Sequence, residues 1–221
     1  MKLTALVPMK GNSERVRNKN LKSFNGKPLF HTILNSLIKS KYIDKVAINT
    51  DSEKIAKDTK ENFGNIVVIN RPKNIQGDFV SMNLIICYDL SQLTGEHFIQ
   101  THSTNPLVSV RTFDRGIKTY FDSSGRFDSL FSVTRMQTRL YDKNAKPLNH
   151  NPKELLRTQD LEPLYEENSN FYIFSKTSFK NAGNNRIGLK PKMFEVNRLE
   201  AVDIDEPEDF ILAELLIKQG L

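Results

Sequence analysis

Seven short apolar runs rich in Val, Ile and Phe, spaced by segments of helical period, leave this chain few folds to choose from. LTALVP (3–8), KVAINT (45–50), NIVVIN (65–70), HFIQTH (97–102), SLFSVT (129–134), NFYIFS (170–175) and EAVDID (200–205) have the composition of strands. Between the earlier ones, FHTILNSLIKS after Pro28, SEKIAKDTKENF after Asp51, MNLIICYDLSQL after Ser81 and VRTFDRGIKTYF after Ser109 repeat their apolar residues at helical spacing. Strand alternating with helix predicts a doubly wound α/β domain, a mainly parallel twisted sheet flanked by helices, with ligands at the carboxyl ends of the strands. At 221 residues one sizeable domain is expected. The rhythm breaks over 136–168, MQTRLYDKNAKPLNHNPKELLRTQDLEPLYEEN, which is polar, proline-punctuated and too long for a plain connection. It is expected to be an inserted arm, serving subunit contacts or acting as a lid.

Several function classes fall away on composition. No apolar stretch reaches the ~20 residues of a membrane span, and MKLTALVPMKGN turns polar too early for a signal peptide, so a cytoplasmic protein is expected. The single Cys87, within MNLIICYDL, excludes an internal disulfide and is expected to be a buried core thiol. His31, His97, His102 and His150 are scattered, without the spacing of a histidine metal motif. The net charge of +6 raises nucleic acid as a partner, but the excess is concentrated. Lys10, Arg15, Arg17, Lys19, Lys22 and Lys27 face the single acid Glu14 in that stretch, and elsewhere the signs are mixed. One basic loop suits a small polyanion better than a polymer.

That loop follows the first strand directly, the nucleotide position of a doubly wound fold. Gly11, Asn12 and Ser13 are small residues whose backbone N–H groups are expected to be free for a phosphate, with Lys10, Arg15 and Lys19 supplying charge. Neither GxxxxGK[ST] nor GxGxxG is present, and a merely solvated basic loop is the alternative. At the other end of the chain, VDIDEPEDF sets Asp203 and Asp205 two residues apart. In an extended strand both would share a face while Val202 and Ile204 point into the core. Two like charges in one small space need a proton, a basic side chain or a hard cation such as Mg²⁺. The alternative is that Asp205 only caps the helix that starts at Pro207.

KGNSERVRNKNL resembles the opening signature of the CMP-sugar synthetases, cytidylyltransferases that activate sialic acid and related acidic sugars, with a pattern close to ARxGSKRxPxKN after strand one. Ser13, Arg15, Lys19 and Asn20 match it, while Lys10, Asn12 and Glu14 stand where Arg, Gly and Lys are usual. RPKNIQGDFVS resembles the family block RPxxLxxDxxS, which maps Arg71, Asp78 and Ser81. HSTNPL resembles QPTSPL, keeping Thr104, Pro106 and Leu107 and differing at His102, Ser103 and Asn105. RTQDLEPLYEENSNFYIF resembles RxQxLPxxYxxNGxxY, placing Arg157, Gln159, Asn168 and Tyr172, with Ser169 where Gly is usual. VDIDEPEDF resembles the closing DIDxxxDL, whose two aspartates hold Mg²⁺ in the family.

The resemblance implies a Rossmann-like nucleotide-diphospho-sugar transferase fold. It implies a nucleotidyltransferase that joins CTP and an acidic sugar into a CMP-sugar and pyrophosphate. Nucleotide contacts are expected from Pro8, Met9, Lys10, Gly11, Asn12, Ser13, Arg15, Lys19, Asn20, Arg71, Asp78 and Ser81. The sugar pocket is expected from His102, Ser103, Thr104, Asn105, Arg157, Gln159, Asn168 and Tyr172. Catalysis would rest on Lys10, Arg15, Lys19, Asp203 and Asp205, the last two holding Mg²⁺, in a homodimer built on the arm. Nucleic acid and membrane are not expected partners. The acceptor stays open between sialic acid, another nonulosonic acid and an eight-carbon ulosonic acid, and a nucleotide-binding protein without catalysis is the rival class.

Overall fold

The computed structural model describes residues 1–220. Its main sheet has seven strands in the order β5-β4-β1-β6-β8-β7-β9. These are β1 (Leu3–Met9), β4 (Ile43–Thr50), β5 (Val67–Asn70), β6 (His97–Thr101), β7 (Ser129–Met136), β8 (Leu164–Ser175) and β9 (Pro191–Glu195). The short strands β2 (Ser23–Phe24) and β3 (Lys27–Pro28) form a separate antiparallel pair. β4 and β6 run parallel to β1, as does β5 to β4 and β9 to β7, whereas β8 is antiparallel to both β6 and β7.

The helices are α1 (Leu29–Lys39), α2 (Glu53–Asn62), α3 (Met82–Gln92) and α4 (Val110–Asp122), followed by α5 (Lys176–Asn181) and α6 (Pro207–Lys218). The first four lie where helical period predicts them, α6 starts at the expected Pro207, and α5 was not predicted. Ser52 caps α2 and Ser109 caps α4, each hydroxyl accepting a backbone N–H from the first turn. Alternate residues of β1 serve opposite faces. Leu3, Ala5 and Val7 pack with Phe30, Ile33 and Leu34 of α1 and Phe113 and Ile117 of α4. Leu6 points the other way, into a cluster with Ile86 and Leu90 of α3 and Phe98, Tyr172 and Phe174. Cys87 is half-buried against that second cluster rather than fully inside it. No helix among the described residues is long and apolar enough to cross a membrane.

One predicted strand is absent. Residues 202–205 run without regular structure, and the seventh position in the sheet belongs to β9. The apolar alternation there serves a different purpose. Ile204 is fully buried among Phe24, Leu29, Leu107 and Phe210, which seats α6 on the body, but its N–H bonds Thr104 O at 2.9 Å and no neighbouring strand. The 136–168 segment also enters the sheet at both ends: Met136 closes β7, and Leu164 onward opens β8, where they pair. Further along that ladder the register shifts between Phe131 and Val133, leaving Asn168, Ser169, Asn170 and Phe171 bulged opposite Ser132. Ser169 sits there at φ 57°, the left-handed region glycine enters most freely, which accounts for a Gly-preferring position in the resembled motif.

Candidate active site

β1 departs toward α1 and β4 on one flank while β6 pairs on the other, so a crevice opens at the carboxyl ends of β1 and β6. A cleft of about 370 Å³ occupies it. The first strand and its loop contribute Pro8, Met9, Lys10, Ser13, Arg15, Lys19 and Asn20, and the stretch before α3 contributes Arg71 and Asp78. The end of β6 adds His102, Ser103 and Thr104, and Asp205 reaches in from the chain ahead of α6. Separate stretches of sequence thus meet at one place.

Three cations of the loop, Lys10, Arg15 and Lys19, are each paired with an acid across the cleft. Lys10 pairs with Asp78, whose carboxyl is held below its usual pKa by that hydrogen bond and charge. Arg15 donates to Asp205 at 2.7 Å and to Glu206 at 3.2 Å. Lys19 is buried, donates to the Ile204 carbonyl and lies 3.5 Å from Asp205. A loop this basic, left unpaired, would repel itself, and the acids opposite relieve that repulsion. Gly11 likewise keeps no free N–H, because it donates to Asp51 at 2.7 Å. A Cβ at Gly11 would stand 2.7 Å from Ser52 Cβ, so the loop passes β4's outgoing turn at a distance only glycine tolerates.

The acidic pair is real but differently built. Glu206, not Asp205, is the N-cap of α6, in a capping box with Asp209, and Asp209 also accepts the Asp205 N–H at 3.0 Å. Asp205 faces the cleft and its cations. Asp203 lies deeper, beside Thr104, with Oδ1 buried and lacking a hydrogen-bond partner among the described residues. Burial raises its pKa; Thr104 opposes the shift and the neighbouring Asp205 charge adds to it.

The remaining predicted residues divide. Asn20 is buried and structural in its contacts, donating to Lys10 O at 2.8 Å and accepting the Ser103 hydroxyl at 2.6 Å, so it ties the loop to the end of β6. Asn12 is exposed, and Ser81 stands at the N-cap of α3 without a capping hydrogen bond from its side chain. Asn105 is fully buried, and neither amide atom has a hydrogen-bond partner among the described residues. Asn168 donates to Thr134 at 3.0 Å, and the buried Tyr172 donates to Glu167, its pKa pushed up to about 12 by burial. Arg157 and Gln159 are not brought to this cleft. Both are exposed, Arg157 clasping Asp160 at 2.7 Å and the Gln159 carbonyl accepting from Gln137.

The cytidylyltransferase family model matches residues 4–219. The chain belongs to the cytidylyltransferase family. It is therefore a nucleotidyltransferase. This cytidylyltransferase is 24% identical over 233 residues to the pseudaminic acid cytidylyltransferase of Campylobacter jejuni, covering 99% of the chain and 97% of the relative. It is 26% identical over 219 residues to N-acylneuraminate cytidylyltransferase A of Danio rerio, covering 96% of the chain and 50% of that longer relative. Among solved structures it resembles a CMP:2-keto-3-deoxy-manno-octonic acid synthetase complexed with CTP, at TM-score 0.75 and 12% identity over 100% of both chains. A 4-diphosphocytidyl-2C-methyl-D-erythritol synthase from Anaerococcus prevotii follows at TM-score 0.68 and 14% identity, over 98% of this chain and 99% of the other. At such identities the structural likeness speaks for the fold.

Sequence reasoning missed part of what supports the cytidylyltransferase cleft. Arg71 is buried and donates to Asn49 Oδ1 at 2.7 Å, Asn49 O at 3.0 Å and Met9 O at 3.3 Å, so it clamps the ends of β1 and β4. Asn49 in turn donates to Asp89 of α3, whose pKa burial raises to about 7 against the pull of Asn49 and Arg71. A signal existed: Asp89 is the lone charge in MNLIICYDL, a helix otherwise apolar enough to be buried. Arg186 and Gln100, which lie behind His102, carried no comparable signal.

Proposed function

We propose that this enzyme transfers CMP from CTP to the anomeric hydroxyl of an acidic nonulosonic sugar and releases pyrophosphate. The carrying observation is one cleft at the carboxyl end of β1 in which Arg15 and Lys19 meet Asp205 and Lys10 meets Asp78, beside the partly buried Asp203. The names of the relatives, pseudaminic acid and N-acylneuraminate cytidylyltransferases, support the sugar class, and the first matches nearly end to end.

Phosphoryl transfer asks a protein for positioning and for neutralisation of charge on the nonbridging and leaving oxygens. The sugar hydroxyl oxygen bonds the α-phosphorus as the bond to the β-phosphate bridge breaks in line, the hydroxyl proton passing to solvent and the electron pair departing with pyrophosphate. Arg15, Lys19 and Lys10 face the departing pyrophosphate, whose oxygens compete with Asp205, Glu206 and Asp78 for them. Arg71, Asn20 and Ser81 frame the cytidine, Arg71 by fixing the Met9 carbonyl at the cleft wall. His102, Ser103 and Thr104 line the acceptor end.

Asp203 and Asp205 suit Mg²⁺. A buried carboxylate oxygen without a partner is costly unless something cationic takes it. Two carboxylates are also a donor set that Mg²⁺ accepts, and Asp203 and Asp205 would hold it here. Bound there, the ion would neutralise charge at the α-phosphate and lower the pKa of the attacking hydroxyl. Because Arg157 and Gln159 lie exposed outside this cleft, the arm is assigned to a homodimer in which it completes the partner's sugar pocket.

The test is pyrophosphate release from CTP, UTP, ATP and GTP, each offered with pseudaminic, N-acetylneuraminic, legionaminic and 3-deoxy-manno-octulosonic acids. CTP with a nine-carbon acid is the expected pair. Equal turnover with UTP, turnover confined to the eight-carbon acid, or no release with any pair overturns the proposal.

A further inference from the structure

Behind the cleft a chain of polar groups runs from Arg186, which no role above uses, through the buried Gln100 to His102 in the cleft lining. Arg186 lies between α5 and β9, stacked 3.6 Å over the Tyr172 ring, with Glu167 at 4.0 Å and its backbone N–H on Asn83 Oδ1 at 3.2 Å. Its Nη1 donates to Gln100 Oε1 at 2.6 Å. Gln100 is fully buried, and its Nε2 donates to the Thr101 carbonyl at 3.0 Å and lies 3.1 Å from His102 Nε2.

These contacts fix protons. A guanidinium only donates and a carbonyl only accepts, so both neighbours force the Gln100 amide to turn its oxygen to Arg186 and its nitrogen to Thr101. The second amide hydrogen then meets His102 Nε2, and two donors cannot share that hydrogen bond. His102 Nε2 must be the acceptor, which leaves the proton on Nδ1. No protein acceptor among the described residues takes the Nδ1–H, and His102 lines the cleft. Burial, with the Arg186 charge adding to it and Asp205 opposing, lowers the His102 pKa to about 4, in accord with a neutral ring.

We propose that Arg186 is a positioning residue that, acting through Gln100, locks His102 as the neutral Nδ1–H tautomer and so presents one uncharged N–H donor to the acceptor end of the cleft. Such a group selects a substrate by an acceptor oxygen placed opposite it, without capturing charge. At the same position the resembled motif carries a glutamine, which also offers an uncharged N–H. The placement at the acceptor end rests on the function proposed above, but the tautomer itself does not. A protein with the expected tautomer and no sugar turnover would therefore refute only the earlier reading.

The experiment is long-range ¹H–¹⁵N correlation spectroscopy of histidine side chains in the ligand-free protein at pH 7, with His102→Gln used to assign the resonance. The expected wild-type pattern is a protonated Nδ1 and an unprotonated Nε2 for His102. In Gln100→Glu the carboxylate accepts from both Arg186 and the ring, so Nε2 is expected to become protonated. A wild-type His102 with its proton on Nε2, or a folded Gln100→Glu protein whose Nε2 stays unprotonated, overturns the proposal. The wild-type measurement decides even where the variant fails to fold.

Discussion

Replacing Asp89 by Asn should make the protein more stable at alkaline pH and remove part of its pH dependence. Asp89 is 1% exposed and its pKa stands at about 7, against an ordinary 3.8. The folded state therefore holds a proton that the unfolded chain has released, and stability from this group is complete below pH ~4 and lost as pH rises through ~7. The rise from 3.8 to about 7 sets an upper bound of about 4 kcal/mol. Most of it, about 3 kcal/mol, falls between pH 5 and pH 8. Asn is nearly isosteric, and its carbonyl can still accept the Asn49 amide that holds Arg71. Urea unfolding of both proteins at pH 5 and pH 8 measures the difference directly. The advantage of Asp89→Asn should grow by about 3 kcal/mol between the two, less whatever the helix yields by admitting water. An advantage that stays constant within about 0.5 kcal/mol would show that Asp89 is ionised in the fold through its bonds to Asn49 and the Arg71 charge, and the reasoning from burial would fail.

Asp203→Asn and Asp205→Asn should each lower turnover at saturating Mg²⁺ and CTP by about a hundredfold or more. Asp203→Asn should not lower thermal stability without metal, because burial already disfavours that charge; a stable and fully active Asp203→Asn enzyme refutes the metal assignment. Loss of activity in Asp205→Asn cannot be attributed to the helix start, which Glu206 caps. At Gly116 a Cβ would stand 2.7 Å from Phe171 Cε2 in the core, so Gly116→Ala should cost about 1 to 3 kcal/mol in denaturant unfolding. For the arm, Arg157→Ala and Asp203→Asn proteins should each be nearly inactive alone and recover about a quarter of wild-type turnover when mixed and allowed to exchange subunits. No recovery, together with a monomer in sedimentation, would refute the shared site.

The layered α/β architecture and the place of the cleft follow from features local in the chain. Strands such as LTALVP and KVAINT are covered on both faces, so their apolar runs are continuous and legible, and α1 to α4 announce themselves by period and by the Ser52 and Ser109 caps. The basic loop after β1 and the acids before α6 were visible for the same reason, being local in sequence. Which charge meets which was not. Arg15 and Glu206 are 191 residues apart, Lys19 and Asp205 186, and only the folding of α6 onto Phe24, Leu29 and Leu107 brings them together. The same limit explains 200–205, where alternation guaranteed a buried Ile204 but could not say whether a strand or a loop would bury it; the sheet had already filled its place with β9. Periodicity records how a segment meets the core. Hydrogen-bond partners, tautomers and ion pairs are settled by segments distant in the chain, and here those segments converge only once the sheet has closed around β1 and β6.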